Sequence, residues 1–363
     1  MEANLARYWI GFQRVPGIGP ARLKGLVESF GDAEAAWFAS AASLRAAGLS
    51  PSVIEQLLSL RGALDLDAEW ARVERLGVRV LTWQSPEYPR LLREIDQAPA
   101  VLYLLGELEP VDELAVAVVG TRSPSSYGKA VTEQLAVGLA ANGVTVVSGL
   151  ALGIDGIAHR AALDAGGRTL AVLGNGLDTI YPARHRSLAE RIQGEGALLS
   201  DYPLGTRPEA HNFPARNRII SGLTLGTVVV EADRQSGALI TLRYALDQGR
   251  ETYAVPGNVL ARTSLGTNEA IQRGEAKLVT GVEDILSELN LSMIVEQRTV
   301  AEQVPGNANE ALLLQAIGSD AVHVDELARS TGMGSGDVMS TLLMLELKGM
   351  VRAVDGMTYV ANG

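Results

Sequence analysis

Between residues 114 and 290 short apolar runs alternate with amphipathic stretches, and a glycine-containing loop follows most of the runs. The runs Leu114–Val119, Val144–Ser148, Thr169–Leu173, Ala197–Ser200, Thr227–Glu231, Thr252–Val255 and Lys277–Thr280 are strand-sized and nearly free of charge. Helical periodicity fills the gaps, over Lys129–Ala141, Asp155–Ala165, Ser187–Gln193, Arg216–Leu223, Ala238–Gln248 and Asn268–Arg273. Continuously apolar strands separated by helices predict a mostly parallel sheet covered on both faces. The expected fold class is therefore α/β, a Rossmann-like doubly wound sheet, with ligands bound at the carboxyl ends of its strands.

The flanks read differently. Residues 1–84 are helical, with Arg14-Val15-Pro16-Gly17-Ile18-Gly19-Pro20 between two apolar-periodic stretches, a helix-hairpin-helix (SAM-like) pattern. Its glycines could turn backbone amides toward a phosphate, but a hairpin that only packs on the rest of the chain explains the near-neutral charge better. A weaker echo lies at Leu44–Leu60. The sheet domain is expected over 85–295, and the polar stretch 296–308 reads as a linker. Residues 309–363 predict a winged helix: helices near Asn309–Ile317, Val324–Ser330 and Ser335–Lys348, then a ribbon turning at Asp355-Gly356. Its presumed recognition helix carries Asp337 and Glu346 against Lys348, so a protein-interaction or packing role is expected there.

Charge sets a further limit. The net charge is −11, and nucleic-acid binders normally carry a basic footprint, so any DNA site must be a focused one on an acidic body. Two clusters could supply it: Arg184, His185 and Arg186, and Arg207, Arg216 and Arg218. There is no cysteine, which excludes disulfides, thiolate metal sites and cysteine nucleophiles and fits a reducing cytoplasm. Neither a signal peptide nor a membrane span is expected. The four histidines, at 159, 185, 211 and 323, are too scattered for a metal site, and no cofactor is expected.

The chemistry concentrates in the loops. Gly120-Thr121-Arg122 follows the first strand of the sheet domain, Ser148-Gly149 closes the second, Gly174-Asn175-Gly176 follows the third and Ser236-Gly237 comes after the fifth. Glycines permit close backbone approach, hydroxyls donate, and helix starts add positive dipole ends. Converging on one sheet edge, these loops describe a phosphate-binding surface with Arg122 as its cation. Phe213-Pro214-Ala215-Arg216-Asn217-Arg218 places an aromatic beside two arginines, the means by which single strands are held. On the residues alone, a core phenylalanine and arginines on a solvated helix face remain the simpler reading.

Taken in order, these motifs resemble the DNA-processing protein A (DprA/Smf) family. Val119-Gly120-Thr121-Arg122, Ser148 to Asp155, Gly174-Asn175-Gly176-Leu177-Asp178 with Tyr181-Pro182, and Phe213 to Leu223 carry the resemblance. Ser236 to Thr241, Val255-Pro256-Gly257 and Gly266-Thr267-Asn268 complete it over about residues 85 to 290. The resemblance implies a single-stranded-DNA-binding mediator of natural transformation, not an enzyme, that protects incoming DNA, loads the RecA recombinase and forms a homodimer through the sheet domain. It implies that Arg122 grips a phosphate, that Arg184 supplies a second cation, and that Phe213 packs on a base. Asn217 and Arg218 would shape the pocket, and Gly120, Thr121, Ser148, Gly149 and Arg216 would lie around the strand. Family members often carry a lysine where this chain has Ala210, for which Arg207 or His211 would compensate.

One enzymatic reading stands beside it, a Rossmann-like nucleotide hydrolase such as a phosphoribohydrolase. It needs a carboxylate in the phosphate pocket. Asp155 with His159 one helical turn on, or Glu231 with Asp233, could serve. The simpler expectation is that Asp155 caps backbone amides and that His159 is a buried histidine bonded to it.

Overall fold

The structure is a computed structural model and describes residues 2–290, 308–317, 321–347, 351–355 and 357–361. The chain divides into two compact units, Met1–Leu289 and Asn290–Gly363. The linker expected at 296–308 lies outside the described residues, apart from the first residue of the next helix.

Helices lead the first unit: α1 (Glu2–Gln13), α2 (Pro20–Phe30), α3 (Ala33–Phe38), α4 (Ala41–Ala46), α5 (Pro51–Ala63) and α6 (Leu66–Arg75). Short polar caps define several starts, for example Asp32 accepting from the Ala35 amide and Asp65 from the amides of Asp67 and Ala68. Gly17, at φ +84°, makes the turn between α1 and α2, and a Cβ there would meet Val53 at 2.9 Å. Then come β1 (Arg79–Thr82), α7 (Arg90–Arg93) and β2 (Val101–Gly106). The expected alternation follows as β3 (Ala115–Val119), α8 (Ser126–Ala141), β4 (Thr145–Ser148), α9 (Ile154–Asp164), β5 (Thr169–Val172), α10 (Arg186–Glu195) and β6 (Ala197–Ser200). It continues through α11 (Asn212–Gly222), β7 (Gly226–Val229), α12 (Ala238–Asp247), β8 (Glu251–Ala254), α13 (Leu265–Gln272), β9 (Lys277–Leu278) and α14 (Val282–Glu288).

The nine strands form one sheet in the order β1-β2-β6-β5-β4-β3-β7-β8-β9. From β6 to β9 every pairing is parallel, whereas β1–β2 and β2–β6 are antiparallel. All five residues of β3 are buried, as expected of a strand covered on both faces. Beginning at β3, the chain steps outward through β4, β5 and β6, then returns to lay β7 on the other side of β3. Right-handed crossovers therefore place α8, α9 and α10 on one face and α12 on the other. Neighbours β3 and β7 thus flank the switch point, where such sheets open a crevice.

The antiparallel strands β1 and β2 lie in stretches that carry none of the expected strands. On β2 successive side chains divide between two cores. Val101 and Tyr103 join the cluster that holds Trp9, Phe12 and Trp37 of the N-terminal helices, while Leu102 and Leu104 join Val119, Ile219 and Val229. The N-terminal helices are thereby fused to the sheet through a shared core. The second unit contains α15 (Ala308–Ile317), β10 (Val322–His323), α16 (Val324–Thr331), α17 (Ser335–Leu347), β11 (Val351–Asp355) and β12 (Thr358–Ala361). Its strands run in the order β10-β12-β11, the architecture of a winged helix. Gly356, half of the expected turn dipeptide, lies outside the described residues.

Candidate nucleic-acid interface

At the carboxyl end of β3 the chain leaves the sheet as Gly120-Thr121-Arg122. The Thr121 amide donates to the Glu231 carbonyl at 2.8 Å, and the Ile154 amide donates to the Thr121 carbonyl at 3.2 Å. The loop after β4 lies directly on this segment. Gly153, at φ +79°, is required there, because a Cβ would fall 2.4 Å from the Thr121 carbonyl oxygen. Buried Leu150, in the same loop, also has a positive φ of 56°, which is unfavourable for a branched side chain. His185 is buried and holds this turn, with Nδ1 donating to the Leu150 carbonyl at 2.9 Å.

The loops enclose a cleft of about 430 Å³ whose wall includes Gly120, Thr121, Arg122, Phe213, Asn217 and Gly237. Arg122 is exposed, and its guanidinium lies 5.6 Å from the centre of the Phe213 ring, within cation–π range. Phe213, in the first turn of α11, is half-buried and contacts Tyr181, with ring centres 5.6 Å apart at 37°. The Asn217 amide donates to the Gly237 carbonyl at 3.3 Å across the cleft. Arg184 is exposed on the turn Ala183–His185. Among the described residues neither Arg122 nor Arg184 has an ion-pair partner. Arg207, proposed to stand in for the missing lysine at Ala210, is likewise exposed and free of one, whereas His211 faces Glu209 at 3.5 Å.

Other residues expected at the site are placed elsewhere or already engaged. Arg216 is not on a solvated helix face: it is 4% exposed and donates to the carbonyls of Gly149 and Val172. Burial pulls its pKa down to about 10, against the opposing charge of Asp155, so it remains a cation at neutral pH. Arg216 forms the floor of the cleft and joins two strand ends. Arg218 points away and pairs with Asp201 at 2.6 Å, because a position two residues on along a helix is rotated by about 200°. The Ser148 hydroxyl is buried and donates to the Val118 carbonyl, and the Gly149 amide donates to Asp155, so neither group faces the cleft free.

The acid–base pairings expected of a hydrolase are also redirected. Asp155 accepts from the amides of Gly149 and Ala151, which precede its helix, and burial pushes its carboxyl upward. His159 is not bonded to Asp155. Its Nδ1 meets the Thr169 hydroxyl at 2.7 Å, and burial lowers its pKa to about 3. Because the Thr169 hydroxyl donates to the Val146 carbonyl, His159 must donate from Nδ1, leaving Nε2 buried without a partner among the described residues. Glu231 is 2% exposed and accepts from the Ser125 amide and hydroxyl, and Asp233 pairs with Arg262. Residue reading did not single out Tyr181, which packs on Phe213, or His185, which braces the Leu150 turn. The Tyr-Pro dipeptide between two cation-bearing segments was the available signal for the first. No signal announced the second, since the φ of Leu150 cannot be read from its identity.

Residues 79–290 match the family model of the DNA recombination-mediator protein A, and residues 297–357 match that of the DprA winged helix domain. The chain is 40% identical to Protein Smf of Escherichia coli, over 86% of this chain and 85% of that protein. It is 46% identical to DNA processing protein DprA of Streptococcus pneumoniae, over 55% and 71%. The crystal structure of the S. pneumoniae protein superposes on 78% of this chain and 97% of its own, with a TM-score of 0.69 and 35% identity. DNA processing protein A of Helicobacter pylori, whose structure concerns its mode of single-stranded DNA binding, superposes with a TM-score of 0.53 and 31% identity over 58% and 95%.

Proposed function

The chain belongs to the DNA recombination-mediator protein A family, and on that premise we propose that it holds single-stranded DNA in the cleft around Arg122 and Phe213 and passes the strand to a RecA recombinase. The observation that carries this reading is the Arg122–Phe213 pair, a cation without an acidic partner set against an aromatic at the switch point of the sheet. A phosphate can be met by the guanidinium while a base meets an aromatic, which is how strands are bound without sequence preference. Arg184 and Arg207 extend the positive surface on a chain whose net charge is −11. That combination favours a flexible strand threaded through one cleft and repels the stiff, doubly charged duplex.

The protein works in the cytoplasm as a homodimer, so that two clefts tether one strand and raise the apparent affinity above that of either. Among the described residues no helix is long and apolar enough to cross a membrane. We read it as a binding protein and not an enzyme. The carboxylates a hydrolase would use, Asp155 and Glu231, are buried and occupied by backbone or hydroxyl donors from the loops they hold. The H. pylori relative's single-stranded DNA binding supports the choice of ligand.

Fluorescence anisotropy of labelled single- and double-stranded oligonucleotides at two salt concentrations tests the reading. Salt-sensitive binding that prefers the single strand is expected, with Arg122→Ala reducing affinity and flattening the salt dependence by about one phosphate contact. Equal affinity for both forms, or an Arg122→Ala protein that binds as before, defeats it.

A further inference from the structure

The residues that carry the resemblance make Phe213 the stacking platform, yet its ring is poorly placed to be a platform alone. It is half-buried, Arg122 lies over it, Tyr181 packs against it, and a Cβ at Gly174 would come within 3.0 Å of its edge. With their centres 5.6 Å apart, the rings of Phe213 and Tyr181 are in direct contact, so no base enters between them. Tyr181 is the more open of the two, at 47% exposure, and its hydroxyl has no hydrogen-bond partner among the described residues.

A lone exposed aromatic is ordinary on a protein surface. This one is in contact with Phe213, over whose ring Arg122 lies, and Arg184 follows three residues later in the chain. Arg122 and Arg184 both lack an acidic partner among the described residues. Unpaired cations together with a contiguous aromatic surface are the groups that meet the phosphates and bases of a single strand.

Resting on the single-strand reading above, we propose that the outer face of Tyr181, which packs on the cleft residue Phe213, is a base-stacking surface beside the cleft. Phe213 backs this ring and fixes its tilt, while Arg122 and Arg184 meet phosphates on either side of the stacked nucleotide. The ligand class is any nucleotide with an unpaired base, since a stacking face reads the ring and not its hydrogen-bonding edge. Duplex is excluded because its bases have no free faces.

The test compares wild type, Tyr181→Ala, Tyr181→Leu, Tyr181→Phe and Arg122→Ala, each binding labelled oligo(dT) and the same strand with abasic sites. Tyr181→Leu keeps an apolar contact with Phe213 but has no ring, so it separates stacking from packing. Loss of one base–aromatic stack weakens binding about 5- to 100-fold. Tyr181→Ala and Tyr181→Leu are expected to show that loss on oligo(dT) and none on the abasic strand, with Tyr181→Phe near wild type. An equal loss on both strands overturns the proposal, because the ring would then act through structure alone. Unchanged binding by both ring-less variants, with Arg122→Ala impaired, also overturns it and leaves the cleft standing. If Arg122→Ala binds normally too, the cleft reading falls with it.

Discussion

Arg218 and Asp201 form a 2.6 Å ion pair with side chains only 12% and 14% exposed, on the side of α11 turned away from the cleft. One Arg218 nitrogen and one Asp201 oxygen remain buried without partners among the described residues, so removing either side chain strands a charge in a poorly solvated place. Arg218→Ala should therefore lower stability by roughly 1–3 kcal/mol while leaving the affinity of the folded protein for single strands within about twofold. Chemical denaturation alongside anisotropy distinguishes the two effects. A large drop in affinity at unchanged stability would return Arg218 to the binding surface.

Glu231 governs how the Arg122 loop is held. Its carboxylate accepts from the Ser125 amide at 2.9 Å and the Ser125 hydroxyl at 2.5 Å, and Thr263 reaches it at 3.3 Å. Gly128 lies so close that a Cβ there would meet the carboxylate at 2.3 Å. In Glu231→Gln one acceptor becomes a donor facing another donor. The expected outcome is a destabilisation of about 1–3 kcal/mol and weaker strand binding, because the segment carrying Arg122 loosens. Were Glu231 a catalytic carboxylate, the substitution would leave binding intact instead.

His159 makes stability depend on pH. Its folded pKa, lowered chiefly by burial and further by the charges of His185, Arg216 and Arg160, is about 3. The unfolded value is near 6.5. A group depressed in the folded state favours folding while neutral, so its contribution is complete above pH 6.5 and declines as pH falls toward 3. Denaturation midpoints between pH 7.5 and 4 should fall for wild type and fall less steeply for His159→Leu, which cannot titrate. Parallel curves for the two proteins would show that His159 charges without cost.

Legibility in the sequence followed the physics of each element. The central parallel strands announced themselves because both faces are buried and they carry almost no charge, as in Ala115–Val119. Val101–Gly106 is equally apolar, but no Gly-rich loop and no crossover helix follow it, so the alternation concealed it. Arg79–Thr82 is a four-residue edge strand whose residues on one face continue the helical core. At the site, loop residues such as Arg122 were found because glycine spacing reports backbone proximity. The directions of Arg216 and Arg218 were not, since helical residues two apart point to opposite sides and only the surrounding acceptors decide which arginine is buried. Asp155 and His159 are four apart and share a helix face, yet Thr169 on β5 offered the histidine a nearer partner.

The winged helix provides the last test, because shape and charge there point in different directions. Its α17 occupies the recognition-helix position but carries Asp337 and Glu346, and the Glu346 carboxylate accepts from the Ala353 amide. The same helix exposes Met339, Leu343 and Met344, at 37%, 57% and 49%. A helix that reads a major groove needs cations and polar donors, whereas exposed leucine and methionine suit an apolar protein partner. Leu343→Glu together with Met344→Lys leaves net charge unchanged and removes that apolar surface. Single-strand affinity is expected to stay within about twofold of wild type, as the phosphate contacts proposed for Arg122 and Arg184 are untouched. A marked fall in DNA binding would mean that α17 contacts the nucleic acid despite its charge.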